Sequence, residues 1–239
     1  EAVQAAEIIF TCVGNDDDLR AVILGDDGVL AGLQQGGLLV DHTTSSADVA
    51  RDVSRQLIQA GCSMLDAPVS GGEVGAIKGA LTIMAGGTQA DFTRALPLLN
   101  CYARAARLMG AVGAGQLTKM VNQICIAGLL EGLAEGLYFA EQAGLDSHAV
   151  IEVIAKGAAQ SWQMDNRHKT MIDNEFDFGF AVDWMVKDLA IVLDESRKNG
   201  AILPVTRLVK DYYQEIQKQG GGRWDTSSLI ARLRAIKDN

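Results

Sequence analysis

Two short segments hold residue types that can move a proton and hold an anion. Lys119, Asn122 and Gln123 stand at positions i, i+3 and i+4 of a helical pattern. That spacing puts one amine and two amides on a single face within one turn. A lysine on an otherwise apolar helix must have its desolvation compensated, and burial is one of the ways an amine is tuned for proton transfer. A structural lysine that snorkels its head group to water carries the same signature. Upstream, Asp66-Ala67-Pro68-Val69-Ser70-Gly71-Gly72-Glu73 ends an apolar run with a stiffening proline and two glycines. The glycines leave backbone N–H groups unobstructed before a short helix, where a carboxylate can be held by those donors, the Ser70 hydroxyl and the helix dipole. An ordinary glycine turn between a strand and a helix has the same residues.

Gly113-Ala114-Gly115-Gln116-Leu117-Thr118 imitates a dinucleotide fingerprint, but Thr118 stands where its third glycine belongs. No second strand follows to carry a ribose-binding acid, so that reading fails. Val13-Gly14-Asn15 and Thr43-Thr44 are better placed, each following an apolar strand, and a doubly wound sheet binds its ligand at strand C-terminal ends. The threonines also satisfy a helix-capping turn, and His42 beside them reads as a satisfied loop residue.

The elements that must position these groups follow from the periodicity. Ile8–Val13, Leu38–Asp41, Ser63–Ala67 and Leu81–Met84 read as buried strands. Between them, Ser45 or Ser46 caps a helix that Gly61 stops, and Thr88 caps another running to about Leu99. After Gly115 the pattern is helical throughout, with segments near 116–143, 147–158, 161–171, 182–199, 205–218 and 226–236. Asp146, Ser147 and Thr226 serve as caps, Gly200 and Gly220 as stops. The expected fold is therefore α/β: a doubly wound, Rossmann-type parallel sheet over residues 1–113, then an all-helical domain over 114–239. The sheet is expected to be incomplete, because Glu1–Ala6 reads as the tail of a helix with no beginning.

Composition narrows the function classes. A net charge of −9 argues against a nucleic-acid partner. The basic run Arg232, Arg234, Lys237 reads as one solvated helix face. Cys12, Cys62, Cys101 and Cys125 have no CxxC pairing and lie in apolar segments, as buried reduced thiols of a cytoplasmic protein would. No histidine pair has ligand spacing, so no metal site is expected. No uncharged run reaches the roughly 18 residues of a membrane helix, and no secretory signal is visible, so no membrane partner is expected. The stretch from Ile124 to Gly136 is apolar and small on more faces than a surface helix needs, which points to a homo-oligomer.

Together, DAPVSGGEVGA and the later GxGxxxKxxNQ resemble the β-hydroxyacid dehydrogenases, and Lys187-Asp188-Leu189 resembles that family's cofactor-contacting KDL segment. The resemblance covers essentially the whole chain. It implies an NAD- or NADP-dependent oxidoreductase acting on a small carboxylate substrate such as 3-hydroxyisobutyrate, or tartronate or succinic semialdehyde. Lys119 matches the family's catalytic lysine; Ser70, Gly71 and Gly72 match the segment holding the substrate carboxylate. Asn122 and Gln123 stand where many members carry two asparagines, so Gln123 departs by one methylene. By the same resemblance Thr44 and Lys187 contact the nicotinamide half, with Val13, Gly14 and Asn15 also on the cofactor side. Imine reductases on the same architecture generally lack the lysine. The family begins with a strand, GxGxxG, a helix and a selector strand, and that unit is expected upstream of Glu1. Without it, a catalytically silent helical assembly fragment is the competing reading for the chain as it stands.

Overall fold

The structure, a computed structural model, describes residues 3–237, the side chain of Lys237 excepted. The chain divides into two compact units, Glu1–Val121 and Asn122–Asn239.

The first unit alternates strand and helix: β1 (Ile8–Thr11), α1 (Asp16–Leu24), α2 (Val29–Gly32), β2 (Leu38–Asp41), α3 (Ala47–Gln59), β3 (Ser63–Asp66), β4 (Val69–Ser70), α4 (Gly72–Ile77), β5 (Leu81–Gly86), α5 (Gln89–Leu99) and β6 (Ala103–Gly110). β1, β2 and β3 are parallel and in register, so Thr11, Asp41 and Asp66 end side by side. Successive side chains of a strand point to opposite faces, and here they feed two cores. Leu39 and Met64 join Leu19, Ile23, Val53 and Leu57 from α1 and α3. Leu38, Val40 and Leu65 join Ile83, Phe92 and Leu99 on the other side. Helices on both faces make the sheet doubly wound. The expected caps form: Ser46 Oγ accepts from Val49 N, and Thr88 Oγ1 from Asp91 N.

Two features depart from the sequence reading. β5 runs antiparallel to β3 and β4, and β6 pairs parallel with β5, so the sheet is mixed. The link from β3 spends its length on β4 and the six-residue α4, and the chain turns back instead of crossing over the sheet as a parallel connection must. α1, α2 and β6 were also not anticipated. The reading of 1–6 as a helix tail falls partly on Glu1 and Ala2, outside the described residues; Val3–Ala5 form a turn.

The second unit is helical. The long α6 (Ala114–Gln142) begins in the first unit and continues into it, followed by α7 (Ser147–Ile154), α8 (Trp162–Ile172), α9 (Val182–Asn199), α10 (Pro204–Lys218) and α11 (Leu229–Lys237). α6 is long and apolar enough to cross a membrane by length and composition. Its Ala127, Leu130, Leu133, Ala134 and Leu137 instead pack with Met185, Leu189, Val209, Tyr213 and Ile230 as the unit's core. Asp225 organises the return to α11: it is buried and accepts from Phe180 N, Ser227 N, Ser227 Oγ and Arg167 Nε.

The basic run near the C-terminus is not a solvated face. Arg232 lies over the Tyr212 ring and pairs with Glu215, while Arg234 pairs with Glu141 and donates to the Met171 carbonyl. The Lys237 side chain lies outside the described residues. Nor are the thiols uniformly buried: Cys62 is, but Cys12, Cys101 and Cys125 are exposed. A short apolar segment does not fix which of its side chains face inward.

Glu131 on α6 is 7% exposed, and neither carboxylate oxygen has a hydrogen-bond partner among the described residues. Burial first, then the neighbouring Glu135, pushes its pKa up to about 7, against the opposing pull of Arg232. A raised carboxyl contributes stability that is fully present below its ordinary value and is lost as pH rises through the folded value. Stability assignable to Glu131 should therefore fall between pH ~4.5 and pH ~8, by about 3 kcal/mol. Thermal melts across that range should show Glu131→Gln losing less stability than wild type; equal losses would contradict the assignment.

Candidate active site

β1, β2 and β3 finish at one sheet edge, and their last residues are polar. Asp41 is fully buried; its Oδ1 accepts from the hydroxyls of Thr11 (2.9 Å) and Thr43 (2.7 Å). Thr43 Oγ1 in turn accepts from Val13 N at 2.9 Å, which ties the turn after β1 to the turn after β2. Burial raises the Asp41 pKa to about 6, with the Thr43 and Thr11 bonds opposing and Asp66 adding to the rise. Asn15 uses its side chain to cap α1, accepting from Asp18 N. Gly14 and Thr44 remain half-buried along this edge. His42 bonds to the Ala67 carbonyl and the Tyr102 hydroxyl, as a satisfied loop residue should.

Lys119 lies in the first unit, 7% exposed, and its Nζ donates to the carbonyl of Val69 at 2.8 Å. Val69 and Ser70 form β4, and the chain then turns through Gly71 (φ +132°) and Gly72 (φ +61°). A side chain is strained at both angles, while a Cβ on Gly72 would meet nothing within 4 Å. A buried amine therefore sits beside an open, glycine-lined turn carrying a hydroxyl. Such a pair can hold a carboxylate and exchange a proton with an oxygen beside it.

The remaining candidates belong to the second unit, where Asn122, Gln123 and Asp188 form a hydrogen-bonded chain and Lys187 forms an ion pair with Asp188. Asn122 Nδ2 donates to Gln123 Oε1 (2.8 Å), Gln123 Nε2 donates to Asp188 Oδ2 (2.7 Å), and Lys187 Nζ lies 3.2 Å from Asp188 Oδ1. Lys187 also rests over the Trp184 ring, 5.5 Å from its centroid. Gln123 is 2% exposed, and its extra methylene is used to reach Asp188.

Four residues were missed as site residues: Asp41, Asp66, Gln116 and Asp188. A signal existed for the first two, since each closes a buried apolar strand with a carboxylate (LLVD and SMLD). Nothing comparable marked Gln116.

The turns at Val13–Asn15 and Thr43–Thr44 offer backbone amides, glycine and hydroxyls but no Lys or Arg. They lie at the C-terminal ends of parallel strands, where a doubly wound sheet binds its ligand.

Comparison with known proteins decides the family. Residues 1–113 match the NAD binding domain of 6-phosphogluconate dehydrogenase, and residues 113–233 match the NAD-binding of NADP-dependent 3-hydroxyisobutyrate dehydrogenase. The chain belongs to the β-hydroxyacid dehydrogenase family. It is an NAD(P)-dependent hydroxyacid dehydrogenase with a Rossmann-like sheet and a helical C-terminal domain. It is 61% identical over 98% of its length to an uncharacterized oxidoreductase of Shewanella frigidimarina, covering 80% of that protein. It is 32% identical over its whole length to the 2-hydroxy-3-oxopropionate reductase of Escherichia coli, covering 82% of it. The 3-hydroxyisobutyrate dehydrogenase of Mycobacterium tuberculosis, solved with L-serine, superposes with a TM-score of 0.88 at 30% identity, covering 98% of this chain and 81% of that one.

Proposed function

We propose that this dehydrogenase interconverts a small β-hydroxyacid and its semialdehyde, 3-hydroxyisobutyrate being the preferred substrate, with Lys119 as general acid and base. The observation that carries the reading is the buried Lys119 amine held on the Val69 carbonyl, next to the Ser70–Gly72 turn. Ser70, Gly71 and Gly72 hold the substrate carboxylate through backbone N–H groups and the hydroxyl. Asn122 and Gln123 orient the substrate, Gln123 being fixed by Asp188. Val13, Gly14, Asn15, Thr44 and Lys187 face the cofactor, and bound NAD(P) supplies the hydride acceptor. In oxidation, Lys119 Nζ takes the hydroxyl proton as the C–O bond becomes C=O; in reduction the ammonium returns it to the carbonyl oxygen.

The test is steady-state assay of the full-length protein with NAD and with NADP on 3-hydroxyisobutyrate, tartronate semialdehyde and succinic semialdehyde. The first should give the highest kcat/KM, and no turnover of any β-hydroxyacid or semialdehyde would remove the proposal. The similarity to the E. coli 2-hydroxy-3-oxopropionate reductase supports a second reading, in which tartronate semialdehyde leads that ranking. The enzyme works as a homo-oligomer, because α6 leaves Val121, Leu129 and Phe139 exposed; a monomeric sedimentation profile would contradict this.

A further inference from the structure

We infer that Asp66 is a positioning residue that sets the height of Lys119 above the substrate turn. The inference rests on the proposed role of Lys119 and deepens it.

A helix leaves its first N–H groups without internal partners, and α6 is preceded by Gly113, which has no side chain with which to cap them. Asp66, at the end of β3, supplies the cap from far upstream. Its Oδ1 accepts from Gly113 N at 2.7 Å and its Oδ2 from Gln116 N at 2.9 Å. Three residues beyond Asp66, the Val69 carbonyl accepts from Lys119, which is itself three residues beyond Gln116. The strand exit and the helix are thus joined by two rungs of equal spacing, Asp66 to Gln116 and Val69 to Lys119. With the first rung fixed, the second can form only where the amine reaches Val69.

Gln116 carries the same constraint to the cofactor-side turn. Its Nε2 donates to the Thr43 carbonyl (2.7 Å) and its Oε1 accepts from Ser45 N (3.1 Å). The carboxylate has no room to slide. A Cβ on Gly86 would lie 2.4 Å from Asp66 Oδ1, and one on Gly115 would lie 2.4 Å from the Asp66 carbonyl oxygen. Two glycines thus let the sheet and the helix start close around one buried acid.

The test uses Asp66→Asn and Asp66→Ser in the full-length protein. Asn keeps one acceptor but turns its NH2 toward the other amide, so one rung contact is lost. Expected are a fall in kcat of about 10- to 100-fold, an NAD(P) dissociation constant within about threefold of wild type, and a shifted 13Cε resonance of Lys119. In a Lys119→Ala background, Asp66→Asn should change kcat by less than about twofold further, the non-additivity expected of residues acting as one unit. An equal cost in both backgrounds, an unmoved Lys119 resonance, or loss of folding in both variants would overturn the inference and leave Asp66 a general strut. Failure of the parent reading looks different: Lys119→Ala would keep its turnover while the resonance still moved in Asp66→Asn.

Discussion

Lys119→Ala in the full-length protein is expected to lower kcat by about 10²- to 10⁴-fold, the usual worth of a positioned proton donor. The effect should fall on kcat and kcat/KM together, because the proton moves only in the transition state, whereas the carboxylate is held by the Ser70–Gly72 turn. The fold should survive. The hydrogen bond from Lys119 to the Val69 carbonyl contributes about 1–3 kcal/mol net, a loss smaller than the stability of a typical domain. Lys119→Met, which keeps the length of the stem, should be as inactive as Ala and closer to wild type in Tm. Lys119→Arg should not rescue, since a guanidinium keeps its proton at working pH. Single-turnover hydride transfer, followed by nicotinamide absorbance, is the measurement that reads the chemical step directly.

Gly115→Ala is expected to be the most damaging single methyl group in the first unit. The added Cβ would lie 2.4 Å from the carbonyl oxygens of both Asp66 and Met84, and 2.8 Å from Asp66 Oδ2. Two of these three are backbone atoms of paired strands, so the sheet cannot yield and the start of α6 must lift. Overpacking of this kind costs about 1–3 kcal/mol, and each kcal/mol lowers Tm by about 2–4 °C in a chain of this size. The lift also breaks the Asp66–Gln116 rung and displaces Lys119, so kcat should fall beyond the loss of folded protein. Gly132→Ala on the same helix is the control. Its Cβ would meet nothing within 4 Å, and replacing a mid-helix glycine should stabilise by about 1 kcal/mol. Calorimetry of the two variants side by side should show opposite signs; a neutral Gly115→Ala would refute the close approach.

Much of the scaffold was legible because local signals agreed with the tertiary result. Apolar runs ending in Gly, Asp or Pro gave the strands, and short polar residues ahead of periodic segments marked the caps at Ser46, Thr88 and Asp146. β6 was not legible. Ala103-Arg104-Ala105-Ala106-Arg107-Leu108 is made of good helix formers, and it becomes a strand because β5 offers it an open edge over Leu81–Gly86. Tertiary pairing overrode propensity there.

At the site, residue chemistry pointed to Lys119 and the Ser70 turn, and the family resemblance assigned their roles. Asp66 left one mark in the sequence, a carboxylate closing an apolar strand, but its partners left none. Its importance lies in which amides it meets, and those come from residues 113–116, distant along the chain. Gln123 shows the converse. It stood out as a departure from a family pattern, and its contact with Asp188 supplies a reason for the longer side chain. Arg232 and Arg234 were misjudged because a charged helix looks solvated until its acidic partners, Glu215 and Glu141, are brought to it by the fold.

The central claim is that a single amine at position 119 carries the reaction's proton, and chemical rescue tests it most directly. Small primary amines should restore turnover to Lys119→Ala in proportion to their concentration, with the rescued rate depending on amine basicity. They should leave wild type unaffected. Turnover by Lys119→Ala at the wild-type rate without any added amine would contradict the account.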